Sequence, residues 1–180
     1  TAPVYYDYQA VLQKDIDKNK SFRLAFMGSD DRLALIVQSG SGSDPTLGGN
    51  ISLGTAYYRL QARYRQKISD KTEWKTTAAV GKDSIQFNLG ENYFKLTTHP
   101  ITLRSELSHK LGSGVTMNVG MDWLYTPYEI AIRFPPIPQP GQPDPGPFGS
   151  RPPLTVKETD SIYRPAIYDE LEIVPWKGGR

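Results

Sequence analysis

The sequence predicts an all-β protein: an antiparallel up-and-down sheet of the transmembrane β-barrel type. Three observations carry this. Apolar and polar residues alternate with a period of two over most of the chain, as side chains do on the two faces of a strand. The alternating arms exceed the usual globular strand of about 5–6 residues and reach the roughly 9–11 that a tilted membrane-crossing strand needs. Tight turns alternate with longer connections, the pattern of bacterial outer-membrane barrels.

The clearest element is Ile101 to Tyr125, two strands around the turn Gly112-Ser113-Gly114. Ile101, Leu103, Leu107 and Leu111 share a face with Val115, Met117, Val119, Met121, Trp123 and Tyr125. A three-residue loop pairs Leu111 with Val115, Leu107 with Val119, Leu103 with Trp123 and Arg104 with Asp122, so apolar meets apolar and opposite charges meet.

The first strand is expected from Val4 to Ile16, with Tyr6, Tyr8, Ala10 and Leu12 on one face and Val11 an exception on the other. A polar turn at Asp17-Lys18-Asn19-Lys20 returns the chain through Phe22, Leu24 and Phe26. Gly28-Ser29-Asp30-Asp31 interrupts the alternation, and the run from Leu33 to Val37 reads as an extension past a bulge. Ser39 to Asn50 is rich in Gly, Ser, Asp and Pro and reads as a loop. Thr55 to Lys67 alternates again, with Tyr58, Leu60, Ala62 and Tyr64 opposite Tyr57, Arg59, Gln61, Arg63 and Arg65. A turn at Ser69-Asp70-Lys71-Thr72 leads to Trp74, Thr76, Ala78 and Val80; Tyr64 then lies opposite Thr76 and Lys67 opposite Glu73.

Gly81-Lys82-Asp83-Ser84 is expected to shift the register before Ile85, Phe87 and Leu89, and Gly90-Glu91-Asn92 to turn the chain. Apolar parity changes again at Pro100 and at Thr126-Pro127. The proline-rich stretch from Phe134 to Pro153 excludes helix and central strand. A last strand is expected from about Ile162 to Trp176. Loops are thus placed near 38–52, 81–93 and 135–160 of a single unit covering 1–180.

Composition narrows the function. A net charge of +2 gives no footprint for nucleic acid, and the absence of cysteine excludes disulfides and thiolate metal sites. No run of 18 apolar residues suggests a membrane helix. A mean hydropathy of −0.49 still suits a barrel, because half of each strand faces a polar lumen. The chain opens Thr-Ala-Pro without a signal peptide, as a mature or cut product would.

The candidate lumen-facing residues are Arg59, Arg63, Arg65, Glu73, Lys75, Arg104, Glu106 and Asp122. Their functional reading is attraction of anionic solutes; the plainer one is pairing between neighbouring strands. Trp74, Trp123, Tyr125, Tyr128 and Trp176 are candidates for the aromatic girdles at the membrane interface. His99 and His109 are the only histidines, and no metal-ligand spacing surrounds them. Ser108 lies on the face opposite His109, which separates the parts of a hydrolase triad. No enzyme activity, metal or cofactor is expected.

Tyr5-Tyr6-Asp7-Tyr8-Gln9-Ala10, Gly28-Ser29-Asp30-Asp31-Arg32-Leu33, Tyr58-Arg59-Leu60-Gln61 and the run from Pro100 to Phe134 resemble the barrel portion of TonB-dependent outer-membrane receptors of the myxobacterial type. The resemblance implies about 7–8 strands of a larger, roughly 22-stranded barrel. It implies energised uptake of a scarce solute (siderophore, vitamin, sugar or peptide) across a Gram-negative outer membrane. The partners would be outer-membrane lipid, the remaining strands and a plug domain. The plug, not this segment, would contact the inner-membrane TonB complex. The chain departs from the family in having no plug and no TonB box. Two rivals remain: a passive porin-like or structural barrel component, and a soluble all-β binding module.

Overall fold

The computed structural model describes residues 3–37, 49–136, 140–141 and 151–174. These form a single antiparallel sheet of eight strands: β1 (Val4–Asp17), β2 (Lys20–Val37), β3 (Gly49–Lys67), β4 (Thr72–Leu89), β5 (Asn92–Thr98), β6 (Ile101–Gly112), β7 (Val115–Phe134) and β8 (Leu154–Ile173). No helix occurs among the described residues.

The sheet is a simple meander. β4 pairs with β5 along its second half and with β6 along its first, in one unbroken register. β7 does the same. β5 and β6 are therefore one long strand, interrupted only at His99-Pro100, and the sheet has seven strand positions. β1 and β8 are its two edges, with no second partner among the described residues. Both run from the far end towards the tight-turn end, the end of Lys18-Asn19 and Ser113-Gly114.

The registers foreseen at Tyr64–Thr76, Lys67–Glu73, Leu103–Trp123, Arg104–Asp122 and Leu107–Val119 are all present. The turn of the central hairpin is tighter than expected. Gly112, not Leu111, pairs with Val115, and Leu111 is the extra residue of a bulge. Gly114, at φ +85, takes the left-handed turn conformation that side chains disfavour.

Two expected irregularities are absent. The β1–β2–β3 ladders run without a break through Gly28–Asp31, and β4 runs without a shift through Gly81–Ser84. Strand also occupies residues placed in loops: 81–89, 154–160 and 49–52, leaving Gly90–Glu91 as a two-residue turn. The last strand begins eight residues earlier than Ile162. The physical reason is that the two faces of the sheet exchange polarity while the backbone continues undisturbed.

On the front face, two rows on the tight-turn side of the exchange are apolar from edge to edge. One runs Ala10, Phe26, Leu60, Val80, Ile101, Tyr125, Tyr163; the next runs Leu12, Leu24, Ala62, Ala78, Leu103, Trp123, Pro165. Towards the far end the same face turns polar, as in the row Arg32, Gly54, Gln86, Lys95, Ala131, Lys157. The back face does the reverse. It is charged near the tight turns and apolar at the far end, where Leu33, Leu53, Phe87, Phe94, Ile132 and Val156 form one row. Phe87 and Phe134 stack there at 6.3 Å between ring centroids.

The exchange follows one line across the sheet, through Gly28, Gly81-Lys82, His99-Pro100 and Pro127. Two ladder bonds are half-formed along it. The Gly81 N–H donates to the Pro100 carbonyl and the His99 N–H to the Pro127 carbonyl, both at 2.9 Å. Neither proline has an N–H to return the bond that an antiparallel hydrogen-bonded pair exchanges.

The sheet is a single layer. Apart from Pro100 and Pro135, Ala25 is the one buried apolar residue among the described residues, and none of their large side chains is fully buried. Ile167, Leu12 and Leu107 are 86%, 65% and 43% exposed.

Candidate functional site

The eight charged residues singled out in the sequence, Arg59, Arg63, Arg65, Glu73, Lys75, Arg104, Glu106 and Asp122, all fall on the back face of β3, β4, β6 and β7. The regular alternation of those strands puts them there. Arg63, Arg65, Glu73, Lys75, Thr77, Arg104 and Glu106 line an open basin of about 530 Å³.

Most of the charges are paired. Arg65 Nε donates to Glu73 Oε2 at 2.7 Å, and Lys75 Nζ lies 3.0 Å from Glu73 Oε1. Arg104 reaches Asp122 at 3.3 Å and Glu106 at 3.4 Å. Arg59 lies along β4 to meet Asp83 at 2.7 Å and also donates to the Tyr58 carbonyl.

Tyr168 of β8 joins this network, and nothing in the sequence pairs it with a partner. Its hydroxyl donates to Glu106 Oε2 at 2.8 Å across the intervening β7, and the Arg104 guanidinium sits 4.9 Å from its ring centroid. The only local signal was Gly120, a strand glycine of the sort that marks a close approach. Arg23, on β2, is a second back-face residue outside the lumen-facing set; the alternation sets it opposite the face of Phe22, Leu24 and Phe26, as expected. It lies directly opposite Arg63.

The aromatic candidates divide. Trp74, Trp123 and Tyr125 share the apolar front face, and Trp123 stacks with Tyr125 at 6.2 Å and meets Tyr163 edge-on at 6.2 Å. Tyr128 lies on the opposite face, opposite Thr98 and Asp160. Trp176 falls outside the described residues. Tyr8 and Tyr58 form a further front-face pair at 6.3 Å, stretched over Gly28. A Cβ on Gly28 would come within 2.6 Å of the Tyr58 ring, so only glycine leaves room for it.

On the polar, far-end part of the front face, Arg32 grips Asp30 with two hydrogen bonds of 2.8 and 2.6 Å. These bonds hold the Asp30 carboxyl below its usual range. His109 Nδ1 lies 2.8 Å from the Thr72 hydroxyl at the tight-turn end. No group of three or more His, Cys, Asp or Glu that would hold a metal occurs among the described residues. No family model, curated protein or solved structure matches the chain.

Proposed function

We propose that the chain is part of the wall of a barrel in a Gram-negative outer membrane, with the front face against lipid and the back face lining the interior. The observation that carries this reading is the line of polarity exchange. A strand that leaves hydrocarbon for water must change the character of its outer face, and here β2 to β8 do so at one level, while the edge strand β1 keeps Tyr6 and Val4 on the front face. The apolar run Val115–Tyr125 is about 34 Å long at ~3.4 Å per residue, or about 26 Å when tilted by ~40°, against an apolar belt of ~25 Å in such barrels.

The missing core supports the same reading. A single-layer sheet in water exposes both faces and gains too little burial to offset its chain entropy. Lipid on one side removes that deficit. The parity of the strands also fits. β1 and β8 run in the same direction, so an all-antiparallel closed ladder needs an odd number of further strands, and a total of about 22 satisfies this.

Within this reading we favour a TonB-dependent receptor engaged in energised uptake over a passive porin. The back-face row of Leu33, Leu53, Phe87, Phe94 and Ile132 suits an interior filled by a packed plug better than one filled by water. The partners are then outer-membrane lipid, the remaining strands and the plug.

Tryptophan fluorescence tests the reading. In bilayers of lipids brominated along the acyl chain, W176F protein retains Trp74 and Trp123, and both are quenched. A protein that stays dispersed without detergent or lipid, with unquenched tryptophans, overturns the proposal.

A further inference from the structure

We infer that Arg23 and Arg63 form a binding site for one oxyanion, a phosphate or carboxylate group carried by a small solute. Of the back-face arginines on β2 to β7, Arg59, Arg65 and Arg104 each hold a carboxylate. Arg23 and Arg63 hold none among the described residues, although they are direct cross-strand neighbours. Like charges placed opposite each other destabilise a sheet. The Arg23 Nε is buried and has no hydrogen-bond partner, a second cost at the same place.

An anion between the two guanidinium groups removes both costs. Strands lie about 4.8 Å apart, so adjacent guanidinium forks can grip a single tetrahedral or planar oxyanion from two sides. The surrounding row reinforces the choice of ligand. Gln13 and Thr77 flank the pair and can donate hydrogen bonds, and no carboxylate intervenes before Asp122, beyond Arg104. Arg63 and Thr77 also line the open basin, which gives a solute access.

The inference rests on one half of the reading above, that the back face lines the barrel interior, and it needs only the charged, tight-turn half of that face to be wet. It does not depend on lipid at the front face, and the test keeps the two apart. Inorganic phosphate is the probe, followed by phosphorus NMR line broadening with the full chain folded in detergent, at constant ionic strength. Wild type binds, and R63Q and R23Q each weaken binding by about tenfold or more. R32Q, on the front face, stays within about twofold. Without phosphate, R63Q resists denaturant better than wild type at low salt, because the repulsion is gone. A citrate arm reports whether carboxylates compete for the same site. Absence of binding by wild type, or R63Q and R23Q binding as wild type does, overturns the site. If either single variant fails to fold, R63K decides: it keeps the charge, loses the fork and binds more weakly than wild type. Equal binding by R63K counts against the site.

Discussion

The Tyr168 hydroxyl reaches Glu106 across the bare backbone of Gly120, joining two strands that are not neighbours. A Cβ on Gly120 would collide with the Tyr168 ring. G120A should therefore expel the ring and cost about 1–3 kcal/mol, the range for overpacking. Y168F should cost about 1 kcal/mol for the lost hydrogen bond. In denaturant unfolding the two effects should be non-additive, since the alanine already removes what the phenylalanine would. Simple additivity would show that the ring has room beside a methyl group.

The two faces differ in what they tolerate. Leu107 lies on the front face and Ser108 on the back. L107R should impair assembly in bilayers by about 2–4 kcal/mol if the site is near the midplane, and S108R should cost well under half of that. Equal costs in a folding assay into lipid vesicles would contradict the assignment of faces.

Asp30 lies on the far side of the line of polarity exchange, outside the proposed membrane-crossing stretch. The hydrogen bond from Arg32 lowers its carboxyl below the unfolded value of about 3.9. A depressed carboxyl contributes stability above its unfolded pKa and loses it as pH falls through the folded one. Unfolding curves of wild type and D30N should therefore converge as the pH falls below about 4. Curves that stay parallel down to the lowest pH at which both fold would remove Asp30 from the acid response.

Pro100 and Pro127 leave two adjacent ladder pairs half-formed. The Gly81 and His99 amides should exchange with deuterium about tenfold faster than those of Val80 and Thr102 in the same strands, because the local opening is less costly there. P127A restores an N–H facing His99 and should slow the His99 exchange. Uniform protection along β4 and β6 would show that neighbouring bonds carry the sheet past the gap.

The strands and much of the register were legible because each depends on local matching. Arg104 against Asp122, or Tyr64 against Thr76, can be found from two segments alone. The exchange of faces was legible only in part, as separate parity changes at Pro100 and Thr126-Pro127. In a single strand, apolar residues that move from even to odd positions look the same as a bulge, which is how Gly28–Asp31 and Gly81–Ser84 were read. Only the combined register of all strands shows that these positions, Pro100 and Pro127 share one line. The juxtaposition of Arg23 and Arg63 was hidden for a similar reason: the two lie forty residues apart in the chain, at a separation fixed by the ladder.

The common heading of β1 and β8 limits what this wall can join. Copies held in one bilayer all stand the same way up, so the edge of one would meet the opposite edge of the next with strands in parallel. Continuing the meander's antiparallel pattern would require an inverted copy, whose greasy band would then sit at the wrong height. In the proposed membrane setting the sheet would therefore discriminate against self-stacking by orientation alone, leaving its edges to strands of a different sequence.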